Sequence, residues 1–194
     1  MHVIYHLEGM YRPILFAVFL AATLATATVP KDIRATPLVA VTYPRGWNLV
    51  GVPAGTTLVG VSGSLYTLQF KDGGYESLPV STALTGGLGY WAYFPDGGSV
   101  QLAGSSPCVI AVPIGAGEWV MVGNPSPTSA ATVRSADRVY SYSPVSGYTA
   151  VTSGMTVAPG QGAWAFASVN TTVAVVVDGC PGAGSVPPSP PVKP

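Results

Sequence analysis

The chain has 194 residues, with eight basic side chains against eight acidic ones, and only 8% of it is charged where soluble domains carry roughly a quarter. That balance provides no Lys/Arg cluster for holding nucleic acid or an anionic membrane surface. With 24 glycines and 19 prolines among abundant Val, Thr and Tyr, the composition disfavours helices and favours strands joined by turns.

At the amino end Arg12 precedes the apolar run Pro13–Leu24, and Ala25-Thr26-Ala27 supplies the small residues of a cleavage site. Residues 1–27 are therefore expected to be a signal peptide, with translation starting at Met1 or at Met10. The alternative is an anchor retained over Pro13–Val29, close to the minimum of about 17 residues for a membrane span. Cleavage would remove His2 and His6, the only two histidines, and leave a secreted or cell-surface protein with no membrane segment.

After a short lead, 28–36, the chain reads as two tandem repeats, 37–106 and 107–181. Trp47-Asn48-Leu49-Val50-Gly51-Val52-Pro53 answers Trp119-Val120-Met121-Val122-Gly123-Asn124-Pro125, and Gly89-Tyr90-Trp91-Ala92-Tyr93 answers Gly162-Ala163-Trp164-Ala165-Phe166. Each repeat opens with an apolar segment, Leu38–Tyr43 or Val109–Pro113, and enters the first Trp strand through a glycine-containing turn. A linker of small residues follows, 54–64 or 126–137. Next comes a hairpin, Leu65–Phe70 with Tyr75–Val80, or Arg138–Ser143 with Tyr148–Thr152; Asp72-Gly73 and Ser146-Gly147 suit their tight reversals. A glycine-rich corner then delivers the second Trp strand, and Ser99–Leu102 or Thr172–Val177 closes the unit. About six short strands per repeat, with turns every 8–12 residues and no helical period, predict an all-β sandwich or small barrel.

Alternation pairs Trp47 with Leu49, Trp119 with Met121, Trp91 with Tyr93 and Trp164 with Phe166 on shared faces. Because these faces recur, the four tryptophans are expected to be structural and to form the cores. The opposite face differs, with Tyr90 and Phe94 in the first repeat against Ala163 and Ala167 in the second. Tyr90 and Phe94, together with the i, i+2 pair Tyr140 and Tyr142, are the expected ligand or contact surface, since a Tyr ring offers apolar area while its hydroxyl stays wet.

Cys108 lies just before the first strand of the second repeat and Cys180 just after its last. In an exported chain the pair is expected to form a disulfide. The tail, 182–194, contains Pro187-Pro188-Ser189-Pro190-Pro191 and reads as an extended polyproline spacer.

Gly46–Gly51, Gly-Trp-Asn-Leu-Val-Gly, followed by Gly-Tyr-Trp at Gly89–Trp91, resembles a β-repeat type of secreted and cell-surface bacterial proteins. The likeness covers both repeats, although Glu118, Val120 and Ala163 depart from it in the second. It implies an extracellular β module and carries over no catalytic residue.

Catalytic chemistry finds little to work with. A Ser or Cys nucleophile usually needs a histidine base, two cysteines fall short of a four-ligand zinc site, and no Asp-x-Asp loop suggests calcium. A glycosidase would need two carboxylates across a cleft, whereas Asp72, Asp96 and Asp178 neighbour glycine and Glu76, Glu118 and Asp137 are isolated. The expectation is a non-catalytic extracellular module for adhesion, cell-envelope display or scaffolding, with no cofactor and no metal. The alternative is a carbohydrate-binding module that uses exposed aromatics. The expected partner is a glycan or an extracellular protein.

Overall fold

The computed structural model describes residues 38–68, 74–152 and 154–180. The expected signal peptide, the lead, the hairpin turn at 71–73 and the Pro-rich tail lie outside the described residues. Among the described residues every regular element is a strand, fourteen in all. The first six are β1 Val39–Tyr43, β2 Gly46–Gly51, β3 Ser64–Leu68, β4 Tyr75–Pro79, β5 Tyr90–Phe94 and β6 Gly98–Leu102. The other eight are β7 Val109–Ile114, β8 Glu118–Gly123, β9 Ala131–Arg134, β10 Arg138–Ser143, β11 Gly147–Thr152, β12 Met155–Val157, β13 Gly160–Ala167 and β14 Thr171–Val177.

The expected six strands thus appear in residues 37–106, while 107–181 hold eight. The two extra strands, β9 and β12, pair with each other inside and just after stretches read as linker and turn. Asn124 explains them. Its buried side-chain amide donates to the Ser129 and Val157 carbonyls, both at 2.9 Å, and its oxygen accepts the Ser126 N–H at 2.8 Å. That one side chain pins both the loop entering β9 and the end of β12. The matching residue in the first half, Val52, has no such groups.

Among the described residues all pairings are antiparallel and no sheet closes on itself, so the small-barrel option does not apply. β2-β5-β3-β4 and β8-β13-β10-β11 are two four-stranded patches joined into one eight-stranded sheet. The junction is β13 pairing with β2, Gly160 opposite Gly51 and Gln161 opposite Val50, together with a bridge from Leu88 to Val122. β1-β6 forms a separate two-stranded sheet and β12-β9-β14-β7 a four-stranded one.

These smaller sheets cover one face of the large sheet and give two cores. In the first, Tyr43, Val100 and Leu102 from β1 and β6 meet Val50, Leu65, Tyr90, Ala92 and Phe94. In the second, Val112, Val133, Val173 and Val175 meet Val120, Val139, Ala163, Ala165 and Ala167. Inward residues alternate along β3, β5 and β13, as a sheet with one covered face requires, whereas β2 and β8 each end in four consecutive buried residues.

The junction depends on glycine because the backbones nearly touch. A Cβ on Gly51 would overlap Gly123 Cα, and one on Gly123 would lie 2.6 Å from Gly51 Cα. The approach is reciprocal on either side of it. A Cβ on Gly89 would lie 2.8 Å from the Val122 carbonyl oxygen, and one on Gly162 would lie 2.8 Å from that of Val50. The Tyr43 hydroxyl adds a bond across the halves, donating to the Gly160 carbonyl at 2.7 Å.

Cys108 and Cys180 form a disulfide with a Cα–Cα distance of 5.5 Å. It closes the second half where the Val177 N–H donates to the Cys108 carbonyl at 2.8 Å. Such a bond is consistent with an oxidising compartment.

Candidate aromatic binding face

The face of the large sheet that the smaller sheets leave uncovered is aromatic. On β5 the side chains of Tyr90, Ala92 and Phe94 point into the core, so alternation turns Trp91 and Tyr93 outward. On β13, Ala163, Ala165 and Ala167 point inward and Trp164 and Phe166 outward. Tyr66 on β3 and Tyr140 and Tyr142 on β10 share this outer face with Trp47 and Trp119.

The expected assignment of faces is therefore reversed. Tyr90 and Phe94 are 2% and 0% exposed, and they do not form a surface. Phe94 stacks on Tyr43 with ring centroids 4.8 Å apart, and the Tyr90 hydroxyl accepts the Thr85 N–H at 3.1 Å. Trp47 and Trp119, expected in the cores, are 41% and 38% exposed. Trp91 and Trp164 are half-buried by aromatic neighbours on the outer face rather than by the core. In the second half the physical reason lies in size: a layer packed on the large sheet approaches to about 10 Å, and the alanines of β13 with the facing valines allow that approach, whereas in the first half Tyr90 and Phe94 themselves fill the space under β1 and β6. Tyr140 and Tyr142 are half-buried on the outer face.

The outer rings form two similar constellations. Trp47 meets Tyr66 at 5.9 Å, Trp91 at 6.5 Å and Tyr93 at 5.3 Å. Trp119 meets Tyr140 at 5.6 Å, Trp164 at 6.2 Å and Phe166 at 5.0 Å. Each hairpin also reaches the other half. Tyr148 on β11 lies edge-on to Trp91 at 6.4 Å, and Tyr75 on β4 lies edge-on to Trp164 at 6.3 Å. Tyr142 adds a contact of its own, 4.9 Å from Trp91. Edge-to-face pairs of this kind contribute about 0.5–1.5 kcal/mol each beyond area burial.

Between the hairpins lies a groove of about 400 Å³ lined by Trp47, Tyr66, Tyr75, Trp91, Tyr142 and Tyr148. All six are aromatic, four Tyr and two Trp. Burial pushes the Tyr148 hydroxyl above the ordinary phenol range, and the neighbouring Tyr75 and Tyr142 hydroxyls push it in the same direction. The indole N–H of Trp164 is buried with no acceptor. It lies near enough to the Tyr148 hydroxyl to favour its phenolate form, without forming a hydrogen bond to it.

Comparison with protein-family models, curated proteins and solved structures finds no match. No group of three or more His, Cys, Asp or Glu side chains that could hold a metal ion occurs among the described residues. Of the expected contact residues Tyr142 lines the groove, while Trp47 and Trp91, expected in the cores, are among its walls. The available signal was the alanine series at 163, 165 and 167, which marks the face a second sheet can approach.

Proposed function

We propose that the chain is a non-catalytic extracellular binding module and that its working surface is the aromatic face, serving adhesion, cell-envelope display or scaffolding. The observation that carries this reading is the groove whose six lining residues are all Trp or Tyr. Its volume falls in the range of about 300–1,000 Å³ usual for small-ligand sites. Rings that expose π-faces and hydroxyls, with no fixed charge, match the CH-rich faces and hydroxyls of neutral sugars. A neutral glycan is accordingly the proposed ligand class.

Export and a secreted or surface location are part of the same proposal, supported by the signal-like amino end and the disulfide. Tandem duplication is also proposed. It is supported by the shared Trp motifs, by the matching orders β2-β5-β3-β4 and β8-β13-β10-β11, and by ring separations that differ by 0.3 Å between the two tryptophan constellations. The likeness of Gly46–Gly51 and Gly89–Trp91 to bacterial surface repeats points the same way.

The test is calorimetric titration with a panel of neutral oligosaccharides. Binding by the wild type, weakened at least about tenfold (about 1.4 kcal/mol) in Trp91→Ala and Tyr142→Ser while near-UV circular dichroism is retained, is the expected result. Absence of binding across the panel, or binding indifferent to both substitutions, rejects the glycan reading.

A further inference from the structure

The groove and the tail of this chain have complementary chemistry. The groove walls are six aromatic rings carrying only neutral polar atoms, four Tyr hydroxyls and two indole N–H groups. Pro187-Pro188-Ser189-Pro190-Pro191 lies outside the described residues, within a stretch from Gly179 to Val192 that contains no charged side chain. Proline has no N–H, so such a segment offers carbonyl acceptors and apolar rings, which matches a wall of donors and π-faces. Pro-rich segments of this type hold an extended left-handed helix before binding, so docking costs them little conformational entropy, and aromatic-lined grooves are where they dock.

The anchor point selects the source of the occupant. Cys180 packs against the second core, on the side of the large sheet opposite the aromatic face. Pro187 follows it by seven residues, a reach of up to about 25 Å. A path to the groove of the same molecule must pass from the core side of the large sheet round an edge to its aromatic face, with strands about 4.8 Å and layers about 10 Å apart. A second molecule imposes no such detour.

We propose that the aromatic groove binds the Pro187–Pro191 segment of a second copy of this chain, a head-to-tail contact that links molecules in series and competes with other ligands of the groove. Because the donor and acceptor patches differ, the contact is heterologous, and it runs on in series except where two molecules exchange tails reciprocally. This rests on the reading of the groove as a ligand site, but not on the ligand being a glycan.

Sedimentation velocity on the full mature chain over a wide concentration range tests it. The expected result is reversible, concentration-dependent association. It is lost in a tail variant (Pro187→Ser, Pro188→Ser, Pro190→Ser and Pro191→Ser together) and in the groove variants Trp91→Ala and Tyr142→Ser. Mixing the tail variant with a groove variant restores a single 1:1 complex, because each partner retains one intact half of the contact. A synthetic peptide of residues 182–194 disperses the wild-type assemblies. A wild type that stays monomeric throughout overturns the proposal, as does association that survives the tail substitutions. Tryptophan fluorescence that differs between monomeric wild type and tail variant at every dilution assigns the segment to its own molecule and also overturns it. Oligosaccharide titration of the tail variant separates the two readings: glycan binding without self-association rejects only the tail contact, and self-association without glycan binding rejects only the sugar.

Discussion

Tyr43 is a residue on which both halves depend. Its ring stacks on Phe94 in the first core while its hydroxyl donates to Gly160 in the second half. Tyr43→Phe keeps the stack and leaves a carbonyl without its partner, so chemical denaturation should register a loss of about 1–3 kcal/mol. Burial pushes the Tyr43 hydroxyl well above the ordinary phenol value of 10.0. A group whose folded pKa is raised stabilises fully below its unfolded pKa and loses that contribution as pH rises toward the folded value. Stability of the wild type should therefore fall on raising the pH above about 10, and Tyr43→Phe should show a shallower alkaline decline in the same denaturation series.

At the scale of elements, Asn124 decides how many strands a half contains. It is fully buried and satisfies three backbone groups, at Ser126, Ser129 and Val157. Asn124→Val copies the first half's residue but leaves those groups without partners, at about 1–3 kcal/mol for each buried one. The expected outcome is a loss of at least about 3 kcal/mol in denaturant unfolding, with hydrogen exchange accelerated first in β9 and β12. This is also where legibility ended. Strands such as β3, β5 and β10 are readable from sequence because one face is covered, and several reversals are marked by glycine, as at Gly147 with φ 72°. A four-residue strand such as Ala131–Arg134 carries too few alternations to stand out from a linker of small residues. Which face was covered was harder still, since Trp47, Trp91, Trp119 and Trp164 give both sides of their strands an apolar reading, and bulk suggested a core on the face opposite Ala163, Ala165 and Ala167.

Across the whole molecule, the two cores are separate clusters but the connections between them are backbone to backbone: the β13–β2 pairing, the Leu88–Val122 bridge and the apposed Gly51 and Gly123. Unfolding one half exposes the glycine junction, the Tyr43 bond and the rings that Tyr75 and Tyr148 cover on the other. Urea unfolding followed by tryptophan fluorescence and by far-UV circular dichroism should thus give coincident single transitions. Two resolved steps would mean that the halves fold independently. Reduction of the Cys108–Cys180 bond should shift that one transition by up to about 4 kcal/mol, as expected for closing a long loop.

Gly51 meets Gly123 as a lock meets a matching lock, each occupying the gap left by the other's missing side chain. An isolated first half, severed near Pro107, would still carry its own copy of that gap. It would therefore have a self-complementary seam, and a polypeptide of residues 37–106 alone is expected to pair as a symmetric homodimer, which sedimentation equilibrium would register.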